Sequence, residues 1–178
     1  MITEATHVIR RSVEQALAPL LGKSLWACTR AADLAAFQFG KKREATDFRG
    51  RNVSVGEYAL HVQCAWRITR PDQVVVGNVD LYYPPDLTSE EIPPGFEWDK
   101  GLNRRDELLR LLFEDGKRQF PVRRVDVGNA GSLFISMDDG LSLEVLPNSS
   151  LTGEHWRLFK PRSEEPHFVF SGKEVGRE

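Results

Sequence analysis

The chain has 178 residues, of which 40% are hydrophobic and 28% are charged; this is the composition of a globular domain and not of a disordered segment. Its formal net charge of −2 argues against the basic footprint of a dedicated nucleic-acid binder. No apolar run approaches the roughly 20 residues that a membrane-spanning helix needs. We therefore expect one domain over residues 1–178, with no nucleic-acid partner and no membrane partner.

The N-terminal segment and the cysteines indicate the compartment. Glu4, Arg10 and Arg11 interrupt the apolar residues of this segment, which is unlike a signal peptide. A cytoplasmic location is therefore expected. Cys28 and Cys64 lie within apolar, strand-like runs, so we predict two buried thiols. A disulfide or a zinc site is not expected, since the chain has no CxxC pair.

Two helices are predicted. Apolar residues recur at three- and four-residue spacing over residues 5–21, which indicates a helix with one buried face, capped by Thr3 or Thr6. A second helix is predicted over residues 103–114, because Asn103 is a suitable N-cap and two acidic residues follow it in the first turn.

The clearest strand of the chain is Tyr58–Thr69, in which apolar and other residues alternate strictly. Period two places alternate side chains on opposite faces of a sheet. The face predicted to be core carries Tyr58, Leu60, Val62, Cys64, Trp66 and Ile68. After a turn at Pro71-Asp72, residues 74–83 are predicted to return as one long partner strand.

The other segments complete an α+β prediction: antiparallel β-meander sheet(s) with an N-terminal helix and one mid-chain helix. The turn at Asp139-Gly140 is typical of a tight hairpin. Residues 41–52 are expected to be a solvated loop and residues 84–101 a long irregular loop, with residues 1–4 and 173–178 frayed. Further strands are predicted over residues 25–30, 34–39, 120–127, 133–137, 141–145, 154–159 and 167–170.

A search for catalytic chemistry assigns no residue. The usual nucleophile, phosphate-loop and metalloprotease motifs are missing from the sequence. The glycine-rich string 127–132 leads into a predicted strand and not a helix, so it lacks the helix N-terminus that holds a phosphate. The four histidines show no metal-binding spacing. We therefore assign no catalytic residue, no metal ligand and no cofactor.

One polar face is the best candidate for a site. His61, Gln63 and Arg67 share the outward side of the Tyr58–Thr69 strand, and Asp80 on the returning strand is expected to lie opposite them. Such a set suits an anion or a polar partner loop. The competing interpretation is an ordinary exposed sheet face, on which Arg67 and Asp80 form a weak cross-strand ion pair.

Trp98 is the aromatic residue most suited to anchor a partner, because it lies in the acidic, proline-rich loop 84–101. The expected function is a non-catalytic protein-interaction module, and a protein partner is therefore expected. The alternative is a small-molecule-binding or enzymatic domain that uses a polar pocket on the sheet. A deep apolar cavity with converging polar groups favours the alternative, whereas an exposed acidic or aromatic patch favours the partner.

A homodimer is also expected, because unpaired strand edges favour pairing with a second copy. Leu34–Phe39 and His167–Phe170 are the candidate edge strands, since they contain few charges. The alternative is that the neighbouring charged clusters at residues 41–43 and 164–165 block such pairing.

Three segments carry a resemblance to a known group. They are the strand HVQCAWRI (His61–Ile68), the following VVVGNVDLYYP (Val74–Pro84) and the ending EHWRLFKP…HFVFSG within 154–172. On these the chain resembles an uncharacterised group of small bacterial proteins, over about residues 21–172. The resemblance implies a bacterial, cytoplasmic source and no activity. Analogy of size and fold adds an immunity-like role, in which a protein acts by covering a toxin.

Overall fold

The computed structural model describes residues 4–47, 49–86, 91–114, 116–172 and 174–178. Within these ranges the helices are α1 (Glu4–Leu17) and α2 (Arg104–Phe113). The strands are β1 (Ser24–Ala31), β2 (Leu34–Phe39), β3 (Arg43–Thr46), β4 (Asn52–Val55), β5 (Tyr58–Val62), β6 (Ala65–Arg70), β7 (Gln73–Gly77), β8 (Phe120–Val127), β9 (Leu133–Met137), β10 (Ser142–Leu146), β11 (Trp156–Phe159), β12 (Phe168–Phe170) and β13 (Val175–Arg177).

The predicted α+β class is confirmed. Eleven of the described strands form one antiparallel sheet in the order β13-β12-β11-β5-β2-β1-β8-β9-β10-β6-β7, and β3 and β4 form a separate hairpin. The tight turn at Asp139-Gly140 joins β9 to β10 with positive φ angles of 61° and 67°, as the sequence predicted. Of the two thiols predicted to be buried, Cys64 is buried, whereas Cys28 is only partly buried.

The sheet is closed by one bent segment, residues 58–70. Its first half, β5, pairs with β2 and β11, whereas its second half, β6, pairs with β10 and β7. Only Gln63 and Cys64 separate the halves. Following hydrogen-bonded neighbours from β5 through β2, β1, β8, β9 and β10 therefore leads back to β6 on the same segment. The edge of the Trp66 ring meets Phe37 of β2 at 5.0 Å across this circuit.

The predicted inward face of this segment is buried through the bend. Leu60, Val62, Cys64, Trp66 and Ile68 all belong to one hydrophobic core, and each is less than 10% exposed, whereas Tyr58 is only partly buried and packs against that core. The core also receives side chains from both helices. α1 packs on β8 and β13, and α2 packs on β1, β7 and the 3₁₀ turn Asn78–Tyr82.

Both helices begin and end for local reasons. Asn103 caps α2 as predicted, with its side-chain oxygen accepting a 3.0 Å hydrogen bond from the Asp106 backbone N–H. The α-helix predicted over residues 5–21 is shorter, because α1 ends at Leu17 and a 3₁₀ turn, Ala18–Leu20, follows. Pro19 lies in that turn and has no N–H with which to continue the α-helix.

Two segments differ from the prediction because side chains define turns that the hydrophobic pattern does not show. Residues 41–52 are not simply a loop, since they contain β3 and the start of β4. The Asp47 carboxylate accepts hydrogen bonds from two backbone N–H groups of the connection. The long strand predicted over residues 74–83 is also wrong. β7 ends at Gly77, whose N–H donates to the Asp80 carboxylate at 2.8 Å, and the 3₁₀ turn Asn78–Tyr82 follows.

The C-terminal end is paired rather than frayed. β13 pairs with β12, and the backbones of His167 and Glu178 exchange two hydrogen bonds. Of the N-terminal residues expected to fray, 1–3 lie outside the described residues and Glu4 begins α1. Lys173 and loop residues 87–90 also lie outside the description.

The strands proposed as dimerisation edges are interior strands. β2 is paired with β1 and β5, and β12 is paired with β11 and β13. The sheet instead ends at β7 and β13. A homodimer therefore has no support from the two strands on which its prediction was based.

Trp66→Ala should lower the free energy of unfolding by about 3–5 kcal/mol, because it leaves a large cavity where the two halves of the bent segment share a core. Urea unfolding measures this change. Trp98→Ala is the control, since Trp98 is only half-buried on a loop, and it should cost about 1 kcal/mol. A Trp66→Ala protein with the parent's denaturation midpoint would contradict the assigned inward face.

Candidate functional site

The bend at residues 63–64 separates the predicted site residues, which therefore contact different strands. His61 lies on β5 beside β11, whereas Arg67 lies on β6 between β10 and β7. Gln63 is exposed at the bend between them. The three side chains share the outer side of one segment, as predicted, but they do not line one hollow.

His61 is packed against aromatic and charged neighbours. Its ring meets Phe159 edge-on at 4.7 Å, and Phe159 stacks at 4.3 Å on His167. Arg157 lies directly across from His61 in the strand ladder and donates to the Glu154 carboxylate at 2.7 Å. Burial lowers the pKa of His61; the charge of Arg157 adds to this effect, and Glu154 opposes it.

Arg67 and Asp80 line the same hollow but do not pair with each other. Arg67 donates through Nε to Glu144 of β10 at 2.8 Å. Asp80 accepts from the Gly77 N–H at 2.8 Å and lies 3.4 Å from the Arg104 guanidinium. The exposed Arg67–Asp80 pair of the competing interpretation is therefore absent.

Two adjacent hollows lie around Asn78, and both include Ala65. The larger has a volume of about 340 Å³ and is mainly apolar, and the smaller has a volume of about 110 Å³ and is mainly polar. We refer to their lining residues as the Asn78 surface. It comprises Asp33, Gln63, Cys64, Ala65, Trp66, Arg67, Val74, Gly77, Asn78, Val79, Asp80, Leu81, Tyr82, Leu146 and Asn148.

Asparagine side chains shape this surface where the strand ladder is incomplete. Asn78 accepts a hydrogen bond from the Trp66 N–H at 3.2 Å, and Asn148 accepts one from the Ala65 N–H at 3.3 Å. These bonds satisfy the backbone at the start of β6. The 3₁₀ turn then projects Val79 away from the sheet, leaving it more than half exposed.

The acidic loop reaches the Asn78 surface through Trp98. The Trp98 ring is half-buried and meets the ring of Tyr82 at 5.5 Å in an edge-on arrangement. The Trp98 carbonyl accepts a hydrogen bond from the side chain of the buried Asn103. Four of the five predicted residues, Gln63, Arg67, Asp80 and Trp98, thus lie on or against one surface, and His61 does not line it.

The charges of this region leave an acidic excess. Three of its basic side chains are paired with carboxylates of the chain itself, in the pairs Arg67–Glu144, Arg104–Asp80 and Lys100–Glu97. The carboxylates of Asp33 and Asp99 are exposed, and that of Asp33 also interacts electrostatically with the buried Arg105. The surface therefore favours a basic group over an acidic one.

Sequence reasoning missed the exposed Val74 and Val79, because it placed both on one regular strand. The signal was present in Gly77-Asn78 followed by Asp80, since an acidic residue three positions after a turn residue often closes a helical turn onto the backbone.

Sequence reasoning also missed Arg105, which is 1% exposed in the first turn of α2. Its Nη1 donates to the Asp33 carbonyl at 3.1 Å, and its guanidinium carbon lies 5.9 Å from the centre of the Trp66 ring. Its Nε and Nη2 atoms have no hydrogen-bond partner among the described residues. Burial lowers the pKa of this group, and the charges of Asp106 and Asp33 oppose the effect in part.

Neither thiol is suited to act as a nucleophile. Burial raises the pKa of both Cys28 and Cys64 to about 12, although Arg105 opposes the effect at Cys28. A thiolate is the reactive form of cysteine, and it is strongly disfavoured at such values.

The described residues contain no group of three His, Cys, Asp or Glu side chains arranged to hold a metal ion. No described helix is long and apolar enough to cross a membrane. No protein-family model matches the chain, and comparisons with curated proteins and with solved structures gave no match.

The lowered pKa of His61 predicts a pH-dependent stability. The pKa of His61 is about 6.5 in the unfolded chain and lower in the folded chain, so His61 binds a proton more readily in the unfolded chain. The free energy of unfolding therefore falls as the pH drops from 6.5 towards the pKa of the folded chain. His61→Gln should remove this loss. Urea unfolding at about pH 7.5 and about pH 5 should show the parent losing stability relative to the variant. The prediction would be contradicted if parent and variant differed in free energy of unfolding by the same amount at both pH values.

Arg105→Met should leave stability unchanged or raise it by up to about 3 kcal/mol, because methionine keeps most of the volume and removes a buried charge that is only partly compensated. Arg105→Ala should instead destabilise by about 2 kcal/mol or more through the cavity it leaves. Urea unfolding of the two variants distinguishes volume from charge. A loss on Arg105→Met as large as that on Arg105→Ala would show that the guanidinium itself is required.

Proposed function

We propose that this protein is a non-catalytic interaction module that binds a basic segment of another protein on the Asn78 surface. The observation that carries the proposal is a group of exposed apolar side chains beside the two hollows. Val74 and Val79 are 55% and 56% exposed and line the larger hollow, and Tyr82 is 43% exposed and lines the smaller one. Clustered exposed apolar side chains of this kind mark interaction sites.

The chemistry of the hollows supports a partner with an apolar anchor and a cationic group. An aliphatic or aromatic side chain suits the larger hollow, between Val74 and Val79. A lysine or arginine suits the smaller hollow, where Asp33 supplies a carboxylate and Gln63 an amide oxygen. The acidic residues around Trp98 would add long-range attraction and a dependence on salt.

An immunity-like role is one form of this function, because an immunity protein works by covering a basic or exposed part of a toxin. Analogy of size and fold and the acidic surface support it. As part of this proposal, the protein comes from a bacterium and acts in the cytoplasm.

The proposal predicts which peptides the protein selects. Panning a random peptide display library should enrich sequences that combine lysine or arginine with a large apolar residue. The selected peptides should bind more weakly as salt increases. Val79→Asp should reduce their affinity at least about tenfold, since it places a charge in the apolar hollow, and Asp33→Asn should reduce it by about three- to tenfold.

Val8→Asp is the matched control. Val8 is 61% exposed on α1, so the same substitution adds the same charge at a similarly exposed valine that does not line the Asn78 surface. Affinity should stay at the parent level. The proposal fails if no peptides are enriched over the starting library, or if Val8→Asp and Val79→Asp weaken binding alike.

A further inference from the structure

A second cavity lies on another part of the molecule, between α1, the turn at residues 128–131 and the end of β12. Its volume is about 250 Å³. Ile9 and Val13 of α1, Val127 of β8 and Phe170 of β12 form its apolar wall. The backbone of residues 127–131 forms one side of this cavity. These residues belong to the glycine-rich string that lacks the features of a phosphate loop.

The wall formed by the turn is held rigidly. Ala130 and Gly131 both have positive φ angles, 52° and 73°. The Trp156 indole donates to the Gly131 carbonyl at 3.0 Å. The Phe170 ring approaches Gly131 so closely that a Cβ there would lie 2.1 Å from it. Backbone strain fixed by surrounding contacts is characteristic of binding sites, where a preformed wall lowers the ordering cost of binding.

The size of the cavity limits the ligand. An apolar cavity of about 150 Å³ accommodates benzene, so about 250 Å³ corresponds by proportion to roughly ten non-hydrogen atoms. The cavity is partly open to solvent on the side of the exposed His7 and Arg10. A ligand would therefore place its apolar end against Phe170 and keep a polar end at the opening.

The residues at the opening determine which charge the polar end of a ligand should carry. Among the described residues, its lining includes Arg10, His7 and Asn129 and contains no Asp or Glu. Arg10 donates through Nε to the Glu14 carboxylate at 3.0 Å on the exposed surface of α1. This bond does not use the two terminal nitrogens of Arg10, which can form paired hydrogen bonds to a carboxylate.

We propose that this cavity binds a compact carboxylic acid of about ten non-hydrogen atoms, with an aromatic or branched apolar body against Phe170 and its carboxylate at Arg10. The site is independent of the Asn78 surface. It involves neither a covalent step nor a cofactor.

Three probes of nearly equal shape test the proposal: 3-phenylpropionate, 3-phenylpropan-1-ol and 3-phenylpropylamine. Each is titrated into ¹⁵N-labelled protein, and the backbone amide shifts of residues 127–131 and 172 are followed. The carboxylate should bind about tenfold more tightly than the alcohol, and the amine more weakly than both, since only the carboxylate pairs with Arg10. Equal affinities for the carboxylate and the amine would overturn the proposal, as would no saturable shift at those residues with any probe.

Variants on one helix separate the carboxylate contact from general charge effects. Arg10→Gln should reduce the affinity for 3-phenylpropionate to that for the alcohol, whereas Arg11→Gln, the same change at the next exposed residue, should leave it unchanged. Glu14→Gln should increase it, because it frees Arg10 from its ion pair. Equal losses for Arg10→Gln and Arg11→Gln would show that net charge and not the cavity attracts the probe.

Filling the cavity tests the apolar part. Ile9 is half-buried and lines the cavity, so Ile9→Trp should abolish binding of all three probes. Circular dichroism and the urea midpoint establish that this variant is folded, and Val13 is left untouched because it is fully buried in the core. Undiminished binding by a folded Ile9→Trp protein would place the probes elsewhere and overturn the proposal.

Discussion

The structure depends on the requirement that one strand, residues 58–70, serve two halves of a sheet. Its inward side chains must be apolar along the whole length, because the bend at Gln63 and Cys64 rotates the pairing partners without interrupting the period of two. Leu60 and Val62 pack within the half containing β2 and β11, and Trp66 and Ile68 within the half containing β10 and β7. The contact between Trp66 and Phe37 joins the halves. Changing one inward side chain of this segment therefore affects the packing of both halves of the sheet.

The same bend determines where the outward polar side chains can cooperate. A straight strand would have kept His61, Gln63 and Arg67 in one row, about 6.6 Å and about 13 Å apart in turn. After the bend, His61 belongs with Phe159 and Arg157, and Arg67 belongs with Glu144. The break in the ladder also exposes backbone N–H groups at the start of β6, which Asn78 and Asn148 satisfy. The hollows of the Asn78 surface arise where these side chains replace a neighbouring strand.

Local signals predicted the parts of the fold that local physics determines. Alternation identified the core face of residues 58–69, Asn103 identified the start of α2, and Asp139-Gly140 identified a hairpin. The sequence pattern is the same whether a strand is straight or bent, so the closure of the sheet could not be predicted from it. Which strands lie at an edge depends equally on long-range pairing. For that reason the sequence predicts β2 and β12 as edge strands and does not predict the pairing of β13 with β12.

The candidate site was predictable in composition but not in arrangement. Gln63, Arg67, Asp80 and Trp98 do lie on or against the Asn78 surface. The apolar residues that give this surface its character, Val74 and Val79, are exposed only because β7 ends early at Gly77. The cavity beside α1 was similarly hidden. Its chemistry comes from Arg10 on the first helix and Phe170 near the end of the chain, which no local motif connects.

The packing of the core explains why both proposed sites lie at seams. Large side chains such as Phe37, Phe39, Trp156 and Phe170 are fully buried in the core. Space for a ligand arises where an irregular element meets the sheet, since helices and 3₁₀ turns cannot continue the hydrogen-bonded surface of a strand. One such seam lies between α1 and the turn at residues 128–131, and the other between β6 and the turn Asn78–Tyr82. Turn residues can change at either seam without disturbing the inward alternation, so binding specificity is separable from the constraint that closes the sheet.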